Sequence, residues 1–282
     1  MCQLLAITSR FPISPFPSLS GFFQRAGNTA AHTDGWGVAM YRNNELEIRS
    51  HASAAASCSH ASNLLAESPQ STTFVCHIRK ATHGSVCLEN THPFARDLWN
   101  GTWVFSHNGD LSDFHPELND SFRPVGTTDS EVAFCWMLQQ LSFQFGDQMP
   151  PLDELVSFLA LLSRYVSLHG TFNYVLANGP LLIVHCSTEL YWTERRFPYG
   201  VVELLDTGLK VDLNRLNQSD GAMTVLATHP LTRGEVWCPM GRGELRVYKD
   251  GELLHSKSAP SDAFPDEQVW SQRWKEGAIR LV

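Results

Sequence analysis

Short apolar runs dominate the chain, and turn-forming dipeptides separate them. In the first half, Cys2 to Thr8, Gly37 to Arg42, Glu45 to Ser50, Thr72 to Arg79 and Thr102 to His107 read as strands. In the second half the same pattern gives Thr171 to Ala177, Leu181 to Cys186, Met223 to Thr228 and Glu244 to Lys249. Asn43-Asn44 and Asn178-Gly179 predict tight hairpin turns, because these residues tolerate positive φ. Asn108-Gly109 and Asp250-Gly251 close the strands before them. Two longer segments carry helical spacing. One takes Asp129 or Ser130 as N-cap and runs through Val132, Cys135, Trp136, Leu138 and Leu141. The other starts near Pro151-Asp153, runs to about Leu168 and stops at Gly170. It is apolar nearly all round, which predicts deep burial. A shorter helix is expected over Leu19 to Ala26, and a loop leading into another over His51 to Ser62, ending before Pro69. Many strands with two buried helices imply stacked layers of sheet and helix. With no repeat and no Pro/Gly-rich linker, a single domain over residues 1–282 is expected.

Composition narrows the function classes. Hydrophobic residues make up 43% and charged residues 18%, which is a globular profile. The 21 basic and 29 acidic residues leave a net charge of −8, so a nucleic-acid or anionic-membrane partner is not expected. No run of Lys/Arg is longer than Arg195-Arg196, a pair usually found in a solvated loop. Leu155 to Leu162, the longest strongly apolar stretch, already contains Ser157, far short of the roughly 20 apolar residues of a spanning helix. The N-terminus lacks a basic start, and Pro12, Pro15 and Pro17 interrupt any leader-like core, so a cytoplasmic location is expected. The seven cysteines include no CxxC pair and are expected reduced, most of them as buried fillers within apolar segments.

Five segments carry candidate chemistry. Met1-Cys2 offers a thiol and, once the initiator Met is trimmed, a free α-amine on the same carbon. An α-amine of pKa about 7.7–8.0 can serve as a base at neutral pH. His77-Ile78-Arg79-Lys80-Ala81-Thr82-His83-Gly84 leaves a strand with an Arg fork suited to a carboxylate, or is simply a surface loop. In Ser106-His107-Asn108-Gly109-Asp110, the Asn amide and the Gly N–H can address one oxyanion, or the pair is an ordinary turn. Asp129 in Gly126-Thr127-Thr128-Asp129-Ser130-Glu131 either caps a helix or accepts a substrate ammonium. Asp34-Gly35-Trp36-Gly37, after His32, reads as scaffold.

In order and spacing these segments resemble the glutaminase domain of class II glutamine amidotransferases, in particular the stand-alone YafJ-like group of the Ntn-hydrolase superfamily. Glu89-Asn90-Thr91-His92-Pro93-Phe94, Arg123-Pro124-Val125 and Phe134-Cys135-Trp136 extend the likeness, which spans Met1 to about Leu141. Cys186-Ser187-Thr188, Arg195-Arg196 and Leu226-Ala227-Thr228 are similar more loosely. The resemblance implies an α+β fold, the four-layer αββα sandwich. It implies that Cys2 attacks the γ-amide of glutamine, that its α-amine shuttles the proton, and that Asn108 and Gly109 form the oxyanion hole. It assigns the substrate α-carboxylate to Arg79, with Thr82 and His83 beside it, and the α-amine to Asp129. A γ-glutamyl thioester on Cys2 and ammonia release follow, with no cofactor and no metal. If Met1 stays in place, this chemistry is lost.

Large amidotransferases carry a synthase domain, whereas the residues after about 142 are needed here to finish the layered fold. The expected partners are therefore glutamine or another γ-glutamyl small molecule, with a separate synthase subunit left open. A homodimer is common in such families. The alternatives are a γ-glutamyl hydrolase acting on a peptide or thiol metabolite, and a non-catalytic γ-glutamyl-binding protein. A metal enzyme built on His77, His83, His92 and His107 is disfavoured, because neither HExxH nor a zinc-type His/Cys spacing occurs. His51, His60 and His169 read as surface or turn residues, and Trp99, Trp103 and Trp136 as core or site wall.

Overall fold

The computed structural model of the protein describes residues 2–42, 45–82, 84–216 and 221–258. In chain order the strands are β1 (Gln3–Ile13), β2 (Trp36–Arg42), β3 (Glu45–His51), β4 (Ser71–Ile78), β5 (Phe94–Leu98), β6 (Gly101–Asp110), β7 (Thr171–Asn178) and β8 (Leu181–Cys186). They continue as β9 (Tyr191–Arg196), β10 (Val201–Leu204), β11 (Lys210–Asp212), β12 (Ala222–Ala227), β13 (Thr232–Arg233), β14 (Cys238–Pro239), β15 (Glu244–Lys249) and β16 (Glu252–Lys257). The helices are α1 (Phe16–Gln24), α2 (Ser59–Glu67), α3 (Asp129–Phe145), α4 (Leu152–Val166) and α5 (Leu213–Leu216).

Two antiparallel sheets form the centre. One runs β14-β9-β12-β1-β4-β2-β3 and the other β16-β15-β8-β7-β6-β5, with a small third sheet β11-β10-β13 beside them. Strand alternation decides the layering. Leu5 and Ile7 of β1 point at Phe22 and Phe23 of α1 and Leu64 of α2. Leu4 and Ala6 point the other way, into a core shared with Val104, Val175 and Val184 of the second sheet. On the far face of that sheet, Phe105, Phe172 and Tyr174 pack on Phe134 and Leu138 of α3 and Leu159 of α4. Helices, sheet, sheet and helices thus form the four-layer αββα sandwich. Because both faces of each central sheet are covered, strands such as β2 and β8 read as continuous apolar runs rather than alternating ones.

Several expectations need correction. Asn108-Gly109 does not end a strand. β6 continues to Asp110, because β7 pairs with it that far and sets Asn108 opposite Asn173 and Gly109 opposite Phe172. The N-cap of α3 is Thr128, whose hydroxyl oxygen accepts from the Glu131 N–H at 3.2 Å. Asp129 is therefore the first helical residue, and Ser130 instead reaches His107 Nδ1 at 2.8 Å. The more enclosed helix is α3, not α4. The segment after β6 folds over its outer side, with Phe114 edge-on to Trp136 and the Gln139 amide bonded to the backbone of Glu117 and Asn119. α4 buries one face, on Leu155, Phe158, Leu159 and Leu162, while Asp153 and Glu154 are exposed. Arg195 is not in a solvated loop. It is a buried residue of β9, clamped by Glu235 at 2.8 and 2.7 Å, whereas Arg196, on the opposite face, is exposed. The turn at Asn43-Asn44 lies outside the described residues.

Candidate active site

Cys2 directly precedes β1, the strand held between β4 and β12. The chain leaving β4 passes beside its thiol. The Lys80 N–H donates to Cys2 Sγ at 3.3 Å, and Sγ lies 3.4 Å from the Lys80 carbonyl oxygen. Burial pushes the thiol pKa up, Lys80 and the Arg79 charge pull against it, and Asp129 adds to the rise. The thiol is therefore protonated at neutral pH, and attack needs a base at the moment of reaction.

Asn108 reaches the same place from the other sheet. Its Nδ2 donates to Thr228 Oγ1 at 3.2 Å. That oxygen also accepts from the Leu4 N–H at 2.9 Å, and the Thr228 N–H donates to the Leu4 carbonyl at 3.0 Å. Thr228 thus ties the start of β1, two residues from Cys2, to the Asn108 amide. Asn173 fixes Asn108 from its cross-strand side, donating to the Asn108 carbonyl at 3.1 Å and to Thr188 Oγ1 at 2.7 Å. Asn108 Oδ1 is buried without a partner among the described residues. At Gly109 a Cβ would overlap the Thr171 carbonyl and the His107 ring, so only glycine permits this approach of β7.

Arg79 is buried at the end of β4. Its N–H donates to the Gly35 carbonyl at 2.7 Å, and its carbonyl accepts from the Asp34 N–H at 3.1 Å. Asp34 Oδ2 accepts from the Ala81 N–H at 2.8 Å. The Asp34-Gly35 segment is thus a strap for the Arg79 loop, as its scaffold reading expected. The Arg79 guanidinium donates to the carbonyls of Ser85 at 2.9 Å and Gly84 at 3.3 Å. Asp129 is half-buried, and its Oδ2 accepts from the Leu111 N–H at 2.9 Å. Thr82 is exposed on the loop after Arg79, and His83 lies outside the described residues.

Three buried histidines back the site. His77 Nε2 donates to the His107 carbonyl at 3.2 Å, and the His77 and His92 rings lie 4.2 Å apart. His107 Nε2 donates to the Thr171 carbonyl at 2.9 Å, which leaves Nδ1 to accept from Ser130. Burial lowers all three, His77 to about 3, so they are neutral at pH 7.

Cys2, Lys80, Asn108 and Thr228 line one cleft of about 630 Å³, which extends towards Glu189, His229 and Arg242. Arg79 and Asp129 are not among its lining residues. The sequence reading missed the linking roles of Thr228 and Asn173. Thr228 was visible only as part of a loose likeness in the second half of the chain.

Comparison with known proteins places the chain in a family. The family model for class II glutamine amidotransferases matches residues 1–269. YafJ of Escherichia coli (strain K12), itself a candidate glutamine amidotransferase, is 37% identical over 255 residues, covering 90% of this chain and 100% of that protein. A candidate glutamine amidotransferase of Haemophilus influenzae is 36% identical over 268 residues, covering 94% of this chain and 90% of that protein. The crystal structure of a Pseudomonas aeruginosa PA01 protein, titled a predicted glutamine amidotransferase, superposes with a TM-score of 0.72 at 33% identity. It covers 90% of this chain and 100% of that one. The glutamine phosphoribosylpyrophosphate amidotransferase of B. subtilis gives a TM-score of 0.57 at 15% identity, over 93% of this chain and 50% of that one, and so shows the shared fold alone. The chain therefore belongs to the class II glutamine amidotransferases and has their Ntn-hydrolase fold.

Proposed function

We propose that the protein, acting as one catalytic unit, hydrolyses the γ-amide of glutamine through a γ-glutamyl thioester on Cys2. The observation that carries this reading is the Cys2 thiol and the Asn108 amide lining one cleft, joined through Thr228. Removal of Met1 frees the Cys2 α-amine, which takes the thiol proton as sulfur attacks the γ-carbon. The oxygen of the tetrahedral intermediate accepts from Asn108 Nδ2 and the Gly109 N–H. The C–N bond then breaks, and the amine returns its proton to the departing ammonia. Water, deprotonated by the same amine, attacks the thioester and releases glutamate, and the thiol is restored. Arg79 receives the substrate α-carboxylate, with Thr82 and His83 beside it, and Asp129 the α-ammonium. One cation and one anion at fixed separation suit a zwitterion. Neither is required for breaking the amide, so both govern selection of a γ-glutamyl group.

A second reading has its own observation. Ammonia needs almost no room, yet the cleft beside Cys2 holds about 630 Å³ and has Lys80, His229 and Arg242 along it. That space suits a γ-glutamyl compound with a larger amine portion. The test measures intact mass and ammonia release from glutamine on one purified sample, with Cys2→Ala as control. Loss of one Met and Cys2-dependent ammonia support the glutaminase. Loss of Met with cleavage only of γ-glutamyl peptides supports the second reading. Activity that survives Cys2→Ala sinks both.

A further inference from the structure

The connection between β3 and α2 brings together three metal-ligating side chains that no step of the proposed reaction uses. His51 ends β3, Cys58 directly precedes α2, and His60 lies in its first turn. Their ligand atoms all lie within 4.8 Å of one another. Cys58 Sγ is 4.0 Å from His60 Nδ1. The two imidazoles stack with ring centroids 5.1 Å apart and planes 22° from parallel. Among the described residues this is the one group of three or more His, Cys, Asp or Glu side chains so arranged. We propose that His51, Cys58 and His60 form a binding site for a borderline-soft divalent cation of the zinc class, separate from Cys2.

The donor set points to that class. One thiolate and two imidazoles favour zinc and its neighbours over calcium or magnesium, which select oxygen ligands. Tetrahedral bonds of roughly 2.0–2.3 Å place ligand atoms about 3.3–3.7 Å apart, so closure from the present separations needs shifts of about 1 Å. His60, which is exposed, and the half-buried His51 can supply that movement. Ser53 Oγ lies 2.9 Å from His51 Nδ1 and steadies that ring. Three protein ligands leave a fourth position to water, the open arrangement rather than the closed four-ligand one.

The location gives binding a structural consequence. His51 pairs across the ladder with Trp36, next to Gly35, whose carbonyl holds the Arg79 N–H. An ion here would pin the 51–60 connection against the end of β2 and β3, behind the strap of Arg79.

The experiment titrates full-length protein carrying Cys2→Ala with cobalt(II), and then with zinc(II) as competitor. One equivalent of cobalt should give the charge-transfer absorption of a cobalt thiolate, which zinc abolishes. In the same background, Cys58→Ser should remove that absorption, and His60→Ala should weaken cobalt affinity by at least about tenfold. His60 is exposed, so its variant tests the site even if replacement of buried Cys58 disturbs folding. Absence of thiolate absorption in the Cys2→Ala protein, or absorption and affinity unchanged by both further substitutions, would overturn the proposal.

Discussion

The Asn108 amide has two hydrogens and, among the described residues, one acceptor: Thr228 Oγ1 takes one hydrogen, which leaves the other to meet an oxyanion. Replacing Asn108 by Ala should lower kcat for glutamine roughly 10²–10³-fold, the usual cost of one such donor, with a much smaller change in KM. Thr228 acts one step away, as a positioning residue. Thr228→Val removes the oxygen shared by Leu4 and Asn108 and strands a buried N–H, a loss of about 1–3 kcal/mol in stability. Its kcat should fall as well, measured well below the melting temperature, and Thr228→Ser should restore most of it. A purely structural role would lower stability and leave kcat at that temperature unchanged. Chemistry marks a candidate by residue type at Cys2 and Asn108, which the structure brings to one cleft, and at Arg79 and Asp129, which it leaves outside that cleft's lining. The site was not legible where the role is a hydrogen bond between distant positions. Thr228 is 120 residues from Asn108, and its hydroxyl has no local motif to announce it.

At the scale of elements, the approach to α3 is set by one buried carboxylate. Glu131 Oε1 accepts from the Val125 N–H at 3.0 Å, Oε2 from the Gly126 N–H at 2.7 Å, and the Arg96 guanidinium of β5 donates to Oε1 at 2.5 Å. Glu131 thereby seats the segment that leads to Asp129. Glu131→Ala would take the acceptor from two N–H groups and the counter-charge from a partly buried guanidinium, and should destabilise the protein by about 3 kcal/mol in urea unfolding. Little change in the unfolding midpoint would show that this segment does not depend on Glu131. The elements that were legible share local signals. β7 and β8 are joined at Asn178-Gly179, β15 ends at Asp250-Gly251, and α3 shows its apolar spacing in sequence. The strands that were not legible, β5, β9 to β11, β13, β14 and β16, run for six residues or fewer, and tertiary partners set them. Arg195 reads as a surface charge until Glu235, 40 residues away, meets it in the interior. β6 outran its Asn-Gly signal for the same reason, since β7 supplies partners as far as Thr171.

At the scale of the whole molecule, three apolar cores separate four layers, and the histidines buried where those layers meet determine how the fold responds to acid. His77 faces the second sheet and bonds the His107 carbonyl, the His92 ring lies tilted against His77, the His107 ring faces α3 at Ser130, and His185 lies on β8 with its Nδ1 2.7 Å from the Phe172 carbonyl. Burial is the largest cause of their lowered pKa, to about 3 for His77 and about 4 for His185, with His92 and His107 also lowered. In the unfolded chain each takes a proton near pH 6.5, while in the fold each resists it. Between those limits the unfolded state binds more protons, so stability rises with pH and falls as the pH drops below about 6.5. Each neutral histidine contributes up to about 1.4 kcal/mol per pH unit over that window. Glu235 and Glu244, lowered by Arg195 and Arg246 against the opposing effect of their own burial, add losses only below about 4.5, the ordinary carboxylate range. The unfolding free energy in urea, measured from pH 7.5 to 4.5, should therefore decline steeply from about pH 6.5, before any carboxylate titrates. His92 offers the sharpest check, because both its ring nitrogens are buried without partners among the described residues. His92→Leu should reduce the slope by about one proton's worth, and a slope unchanged by that substitution would place the acid sensitivity elsewhere.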